Sequence, residues 1–190
     1  PGYRQVIMAD IKPALREITV TCTAPSKTFN LAGLQIANIV IANAELRRLF
    51  RQEMDQQGYG QVNTMGLVAC QAAYADGHIW LDELLDYLEG NLALLRRVVQ
   101  DEMPGIRLIE PEGTYLAWLD CRRLDLTPQE LDERIVNQAR VWLDDGAMFG
   151  NEGAGFQRIN IACPRSTLIQ ALQQIRDAVG TLSKHDQSRC

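Results

Sequence analysis

One lysine of this 190-residue chain has the setting of a reactive group: Lys27, in the run TCTAPSKTFNLAGLQ (residues 21–35). Lysine is scarce here. Of 19 basic residues only Lys12, Lys27 and Lys184 are lysine, the first in a polar stretch and the last in a polar tail. Lys27 instead follows a β-branched run, with Pro25 just before it and Gly33 ahead of an apolar segment. A Schiff-base lysine needs a close, partly desolvated seat that lowers its pKa and frees the amine. The hydroxyls of Thr23, Ser26 and Thr28 beside it are of the type that hydrogen-bonds a phosphate. A lysine at a strand end is also ordinarily a solvated surface residue. Residue types alone leave both readings open.

The elements that must position this lysine follow from periodicity. EITVTCTA (17–24) is rich in β-branched residues and predicts a strand that delivers the lysine turn. IANIVIAN (36–43) predicts a second, buried strand. Residues 43–58 carry Leu46, Leu49, Phe50 and Met54 at helical spacing, with Asn43 as N-cap and Gly58 as stop. NTMGLVACQAAYADG (63–77) is small and apolar and predicts a buried helix. A long amphipathic helix over 80–103 follows, ended by Pro104–Gly105. Residues 1–15 show no clear period.

Further on, residues 106–121 predict two strands around a Pro-Glu-Gly turn. Thr127, Pro128 and Glu130 form a capping box opening a helix over 127–143, its apolar face Leu131, Ile135, Ala139 and Trp142. AMFG (147–150) is a short strand candidate, FQRINIAC (156–163) an alternating strand, and 166–180 a final helix. The layout is mixed α/β, its second lobe a sheet covered by helices on one face.

The bulk composition narrows the function classes. A 46% hydrophobic, 23% charged chain is an ordinary globular composition, and no apolar run reaches membrane-span length. A net charge of −5 without a basic cluster speaks against nucleic acid. Five dispersed cysteines without a CxxC pair, and two histidines, point away from disulfides and metal and toward a reducing, cytoplasmic setting. Cys22 and Cys163, on expected strands, read as core thiols, Tyr59, Tyr74 and Tyr115 as packing residues, and Arg165 as a structural ion-pair former.

The lysine segment resembles that of the pyridoxal-phosphate (PLP) enzymes of the aspartate-aminotransferase fold (fold type I, class I/II aminotransferases). It is most similar to the cystathionine β-lyase-like C–S lyases, the MalY/PatB group. PEGTYLAWLD (111–120) resembles the small-domain hairpin of that group, and GAGFQRINIACPRSTL (153–168) its substrate-carboxylate segment. The order of three blocks across most of the chain makes the match far more specific than Ser-Lys alone. The resemblance implies the C-terminal part of the PLP-binding large domain over 1–89, including the start of a long linking helix, and a small α/β domain over 90–190.

By the same resemblance Lys27 is the lysine that bonds PLP as an internal aldimine and moves the substrate Cα proton. Ser26 and Thr23 stand near the cofactor phosphate, and Arg158 holds the substrate α-carboxylate, with Lys27 and Arg158 expected to face one cleft. Asn63 and Thr64 resemble a segment approaching the neighbouring subunit's cofactor, and a homodimer acting on a small amino acid is implied. Two departures matter. Position 35 is Gln where many aminotransferases carry a phosphate-gripping arginine, which favours the C–S lyase side or weaker phosphate binding. The segments that supply the family's ring-stacking aromatic and its Asn and Asp at the cofactor ring are not in this chain, which resembles a C-terminal half. The implied reaction of the whole protein is β-elimination to a keto acid and ammonia, with transamination the alternative and catalysis impaired in this segment alone. From a different class, a non-catalytic remnant would present the apolar faces of helices 43–58 and 63–101 as an interaction module.

Overall fold

The computed structural model describes residues 2–180; Lys184, His185 and Cys190 lie outside the described residues. The chain divides into two compact units, one ending at Leu84 and the other beginning at Leu85. This boundary falls inside one continuous helix.

The first unit opens with two single helical turns, α1 (Met8–Ile11) and α2 (Pro13–Arg16), where periodicity gave none. Strands β1 (Val20–Thr23) and β2 (Asn38–Ile41) pair antiparallel with Val20 opposite Ile41. Helix α3 (Ala44–Gln56) starts where Asn43 caps it, its side chain accepting from the amides of Glu45 and Leu46. The stop is Gly58, at φ +71° in the left-handed region open to glycine. Helix α4 (Thr64–Asp76) is capped by Asn63.

Three expectations fail in this unit. Only Gly66 and Cys70 of α4 are buried, and Met65, Leu67, Val68 and Tyr74 stand exposed. In β2, Val40 is exposed and Ile41 buried. An apolar composition signals a segment that prefers burial, but the two-stranded sheet has too few layers around it to supply that burial. Cys22 is exposed rather than a core thiol.

Helix α5 (His78–Glu102) runs across the boundary. In the second unit, β3 (Arg107–Ile109), β4 (Leu116–Asp120), β5 (Asp144–Asp145) and β6 (Phe156–Asn160) form an antiparallel sheet in the order β3-β4-β6-β5. Alternation along β4 and β6 sends Ala117, Leu119, Gln157 and Ile159 inward and Trp118 and Arg158 to the opposite face. The inward face packs on α5 and on α7 (Arg165–Gly180), whose Leu95, Leu168, Leu172 and Ile175 are fully buried. The expected α/β class, with a sheet covered by helices, is therefore the observed one.

Thr127 and Glu130 form the capping box of α6 (Pro128–Asp132) as expected. The helix then widens into a π-type turn over Glu133–Gln138, in which the Ala139 amide donates to Arg134 O at 2.8 Å. Arg140 at φ +55° ends it. Leu131, Ile135 and Ala139 are buried, but Trp142, beyond the break, is 88% exposed. The helix stops short of the expected residue 143, so Trp142 follows it outside the helix and never joins the buried face. Residues 146–149 are a 3₁₀ turn and not a strand, because the Asp145 side chain accepts from the Ala147 amide and starts a helical turn.

Candidate functional site

Lys27 lies in the turn that leaves β1, and its side chain is exposed. The turn is tied at both ends. Pro25 is buried, and its carbonyl accepts the Phe29 amide at 2.9 Å; the Ser26 carbonyl accepts the Leu31 amide at 2.9 Å. Within these overlapping bonds the chain turns, with Asn30 at φ +55°, leaving Lys27 exposed and Phe29 half-buried.

Phe29 is the anchor. Its ring meets Tyr74 edge-on at 6.0 Å and Trp80 at 5.9 Å. Gly77, between α4 and α5, allows this approach: a Cβ there would lie 2.6 Å from the Phe29 ring and 2.4 Å from Ala73 O. Downstream, the Asn63 side-chain amide donates to Leu34 O at 3.1 Å, and a Cβ on Gly66 would come within 2.9 Å of the same carbonyl. Helix α4 therefore grips the lysine segment at two points, Phe29 and Leu34. Tyr74 packs through this ring contact although over half of it is exposed. Tyr59 is exposed and Tyr115 packs on the core of the second unit.

Thr23 ends β1, exposed, and Ser26 is half-buried one residue before the lysine. Gln35, at φ +51°, closes the short 3₁₀ turn Ala32–Leu34. Asn63 serves as a helix cap and as a tether for Leu34.

Arg158 belongs to the second unit. It occupies the middle of β6, an interior strand, opposite Trp118 of β4 on one side and Asp144 of β5 on the other. Its Nε and Nη2 donate to Asp144 Oδ2 at 2.9 and 2.7 Å. Its guanidinium carbon lies 4.4 Å from the centre of the Phe149 ring, which meets Trp118 edge-on at 5.3 Å. The side chain is 25% exposed. Periodicity pointed to neither Asp144 nor Phe149; the only signal was their place on the β5–turn segment that precedes the strand.

Arg165 is structural, but among the described residues it makes no ion pair. Its Nε donates to Asn91 Oδ1 at 2.9 Å, and its guanidinium lies over the Tyr87 ring at 4.8 Å. Cys163, half-buried, lies just past β6. Among the described residues no helix is long and apolar enough to cross a membrane, and no cluster of His, Cys, Asp or Glu could hold a metal ion.

The chain combines an exposed lysine on an anchored turn after a strand with a second-unit sheet carrying helices on one face and an arginine on the other, and its α/β fold is the one seen in solved PLP-dependent proteins. The treponemal cystalysin structure, which contains a pyridoxal 5'-phosphate cofactor, superposes with a TM-score of 0.92 at 34% identity over 96% of this chain and 46% of that one. The chain belongs to the aminotransferase class I and II family, whose model matches residues 4–175. It is 36% identical to the cystathionine beta-lyase PatB of Bacillus subtilis over 178 residues, covering 94% of this chain and 46% of that protein. It is 34% identical to the protein MalY of Escherichia coli over 158 residues, 83% of this chain and 40% of that one. The chain thus spans about half the length of the curated relatives it matches.

Proposed function

We propose that the protein containing this chain is a PLP-dependent C–S β-lyase of the cystathionine β-lyase type, with residues 1–89 contributing to its cofactor domain and 90–190 forming its small domain. The observation that carries the reading is the anchored turn at Lys27: a primary amine held outward, flanked by the hydroxyls of Thr23 and Ser26. That donor set suits an aldehyde and a phosphate on one ligand. Lys27 would hold PLP, with Ser26 and Thr23 at its phosphate. Bound PLP supplies the electron sink that makes a substrate Cα carbanion accessible.

Every other role falls to side chains of this protein. Arg158 binds the amino-acid α-carboxylate through a planar, two-donor contact and so fixes the direction of the Cα–H bond. The Lys27 amine takes the Cα proton. The Cβ–S bond then breaks, the electron pair leaving with sulfur, which is protonated to a thiol. The released enamine hydrolyses with one water to a keto acid and ammonia. Gln35, in place of a phosphate-binding arginine, favours elimination over transamination. The reading extends to a homodimer in the cytoplasm, in keeping with dispersed free cysteines.

The test is to offer the complete polypeptide, with PLP, L-cystathionine in one assay and an amino-acid/keto-acid pair in another. Pyruvate, ammonia and a free thiol in equal amounts, abolished in Lys27→Ala, are expected. Amino transfer alone would replace the lyase reading, and no lysine-dependent turnover with either would leave the interaction module as the better account.

A further inference from the structure

Arg158 is held on one edge and one face. A single oxygen of Asp144 takes the Nε and Nη2 hydrogens that lie on the same edge of the guanidinium, at 2.9 and 2.7 Å. The Phe149 ring covers one face at 4.4 Å, and Trp118 braces that ring. The end-on edge, formed by Nη1 and the second Nη2 hydrogen, is engaged by no acceptor among the described residues. That edge is the one whose two parallel N–H bonds match the two oxygens of a carboxylate.

The placement is local and specific. Strand β5 is two residues long, and one of the two is Asp144, set directly opposite Arg158. The 3₁₀ turn Gly146–Phe149 follows at once, and its last residue delivers the ring. The turn is rigid because Gly146 and Gly153 pack backbone to backbone: a Cβ on Gly146 would lie 2.1 Å from Gly153 O. The pair is also partly shielded, with side-chain exposures of 25% for Arg158 and 39% for Asp144, unlike a solvated surface pair.

We propose that Asp144 and Phe149 are positioning residues for Arg158, holding its guanidinium so that the free Nη1/Nη2 edge meets the substrate α-carboxylate. This rests on the reading of Arg158 as the carboxylate ligand. Asp144 lowers the net positive charge that the carboxylate meets. What it supplies is orientation: an arginine has many rotamers, and only a fixed plane presents both donors together. The contact is made in the ground state and the transition state alike, so its loss raises KM more than it lowers kcat.

The experiment uses the complete polypeptide with PLP and L-cystathionine as the probe. Asp144→Asn is expected to raise KM about tenfold and to change kcat by less than about twofold, as for one lost charge-assisted hydrogen bond. Asp144→Glu restores part of the loss, and Phe149→Leu raises KM about threefold. Arg158→Ala separates the two claims. If it leaves KM unchanged, Arg158 is not the carboxylate ligand and both claims fall. If it raises KM while Asp144→Asn and Phe149→Leu leave KM unchanged or lower it, only the positioning role falls. A readout without turnover is the Arg158 Nε–H signal in ¹H–¹⁵N spectra, assigned with Arg158→Lys. Slow exchange with water in the wild type and fast exchange in Asp144→Asn are expected; fast exchange in the wild type overturns the positioning role even if the variant does not fold.

Discussion

Asn91 and Arg165 are bonded side chain to side chain, and the bond ties helix α5 to the start of α7. The Asn91 amide nitrogen donates to Ile161 O at 2.8 Å and Cys163 O at 3.1 Å, while its oxygen accepts from Arg165 Nε at 2.9 Å. Asn91 and Ile161 are both buried, so the bond between them has replaced water on each side, while Cys163 is half-buried and Arg165 exposed. Replacing Asn91 by Ala strands the Ile161 carbonyl and leaves the other two groups to water. A loss of about 2 kcal/mol follows from the cost of unpaired buried polar groups, to be read from urea unfolding midpoints. A midpoint equal to the wild type's would show that water replaces the amide at no cost.

Asp120 carries a pH dependence. Its carboxylate accepts from Arg122 Nε at 2.8 Å and Nη2 at 2.9 Å, and from Arg107 at 3.2 Å. The Arg122 hydrogen bonds are the chief reason that its pKa lies far below the ordinary aspartate value of 3.8, against the opposing effect of burial. A depressed folded-state pKa adds stability that is complete above the unfolded value and fades as pH falls toward the folded one. Asp120→Asn therefore destabilises the protein by about 1–3 kcal/mol at pH 7, and the gap to wild type narrows below about pH 4. Unfolding curves at pH 7, 4 and 3 check this; a gap constant across them would contradict the assignment.

Gly153 has no room for a side chain. A Cβ there would lie 2.0 Å from Gly146 O and 2.6 Å from its carbonyl carbon, and backbone cannot step aside as a flexible side chain can. Gly153→Ala is expected to cost at least about 1–3 kcal/mol, as overpacking does. Because Gly153 packs on the turn Gly146–Phe149 that delivers Phe149 to Arg158, KM for an amino-acid substrate should rise in parallel. Unchanged stability and KM would show that the turn yields freely.

Cys121 is a buried thiol, and burial, aided by the nearby Asp120 charge, pushes its pKa up to about 12. Thiolate is the reactive form, so iodoacetamide at pH 8 should leave Cys121 unmodified in the folded protein and modify it once unfolded. Peptide mass spectrometry distinguishes the two. Rapid native labelling of Cys121 would place it outside the core.

What the sequence made legible was local. Asn43, Thr127 and Glu130 announce their caps because a cap is a bond within a few residues. The β3–β4 hairpin follows from its Pro-Glu-Gly turn and β6 from alternation. Trp142 does not share the buried face because the helix ends at Arg140, φ +55°, and nothing in the residue types marks so early a stop in a run whose apolar spacing continues. The exposure of Val68 and Val40 was hidden for a different reason: apolarity states a preference for cover, and the covering residues are set by tertiary structure. At the site, Lys27 stood out by scarcity and by its small neighbours. Asp144 did not, because its meaning lies in a cross-strand register with a residue fourteen positions away.

The central claim is that Lys27 is the PLP lysine, and one measurement meets it directly. The complete polypeptide is incubated with PLP, reduced with borohydride, digested and mapped by mass spectrometry. The account predicts one stoichiometric pyridoxyl-phosphate adduct on the peptide carrying Lys27, absent in Lys27→Ala. Modification of some other lysine in its place, or no stoichiometric adduct at all, would contradict it.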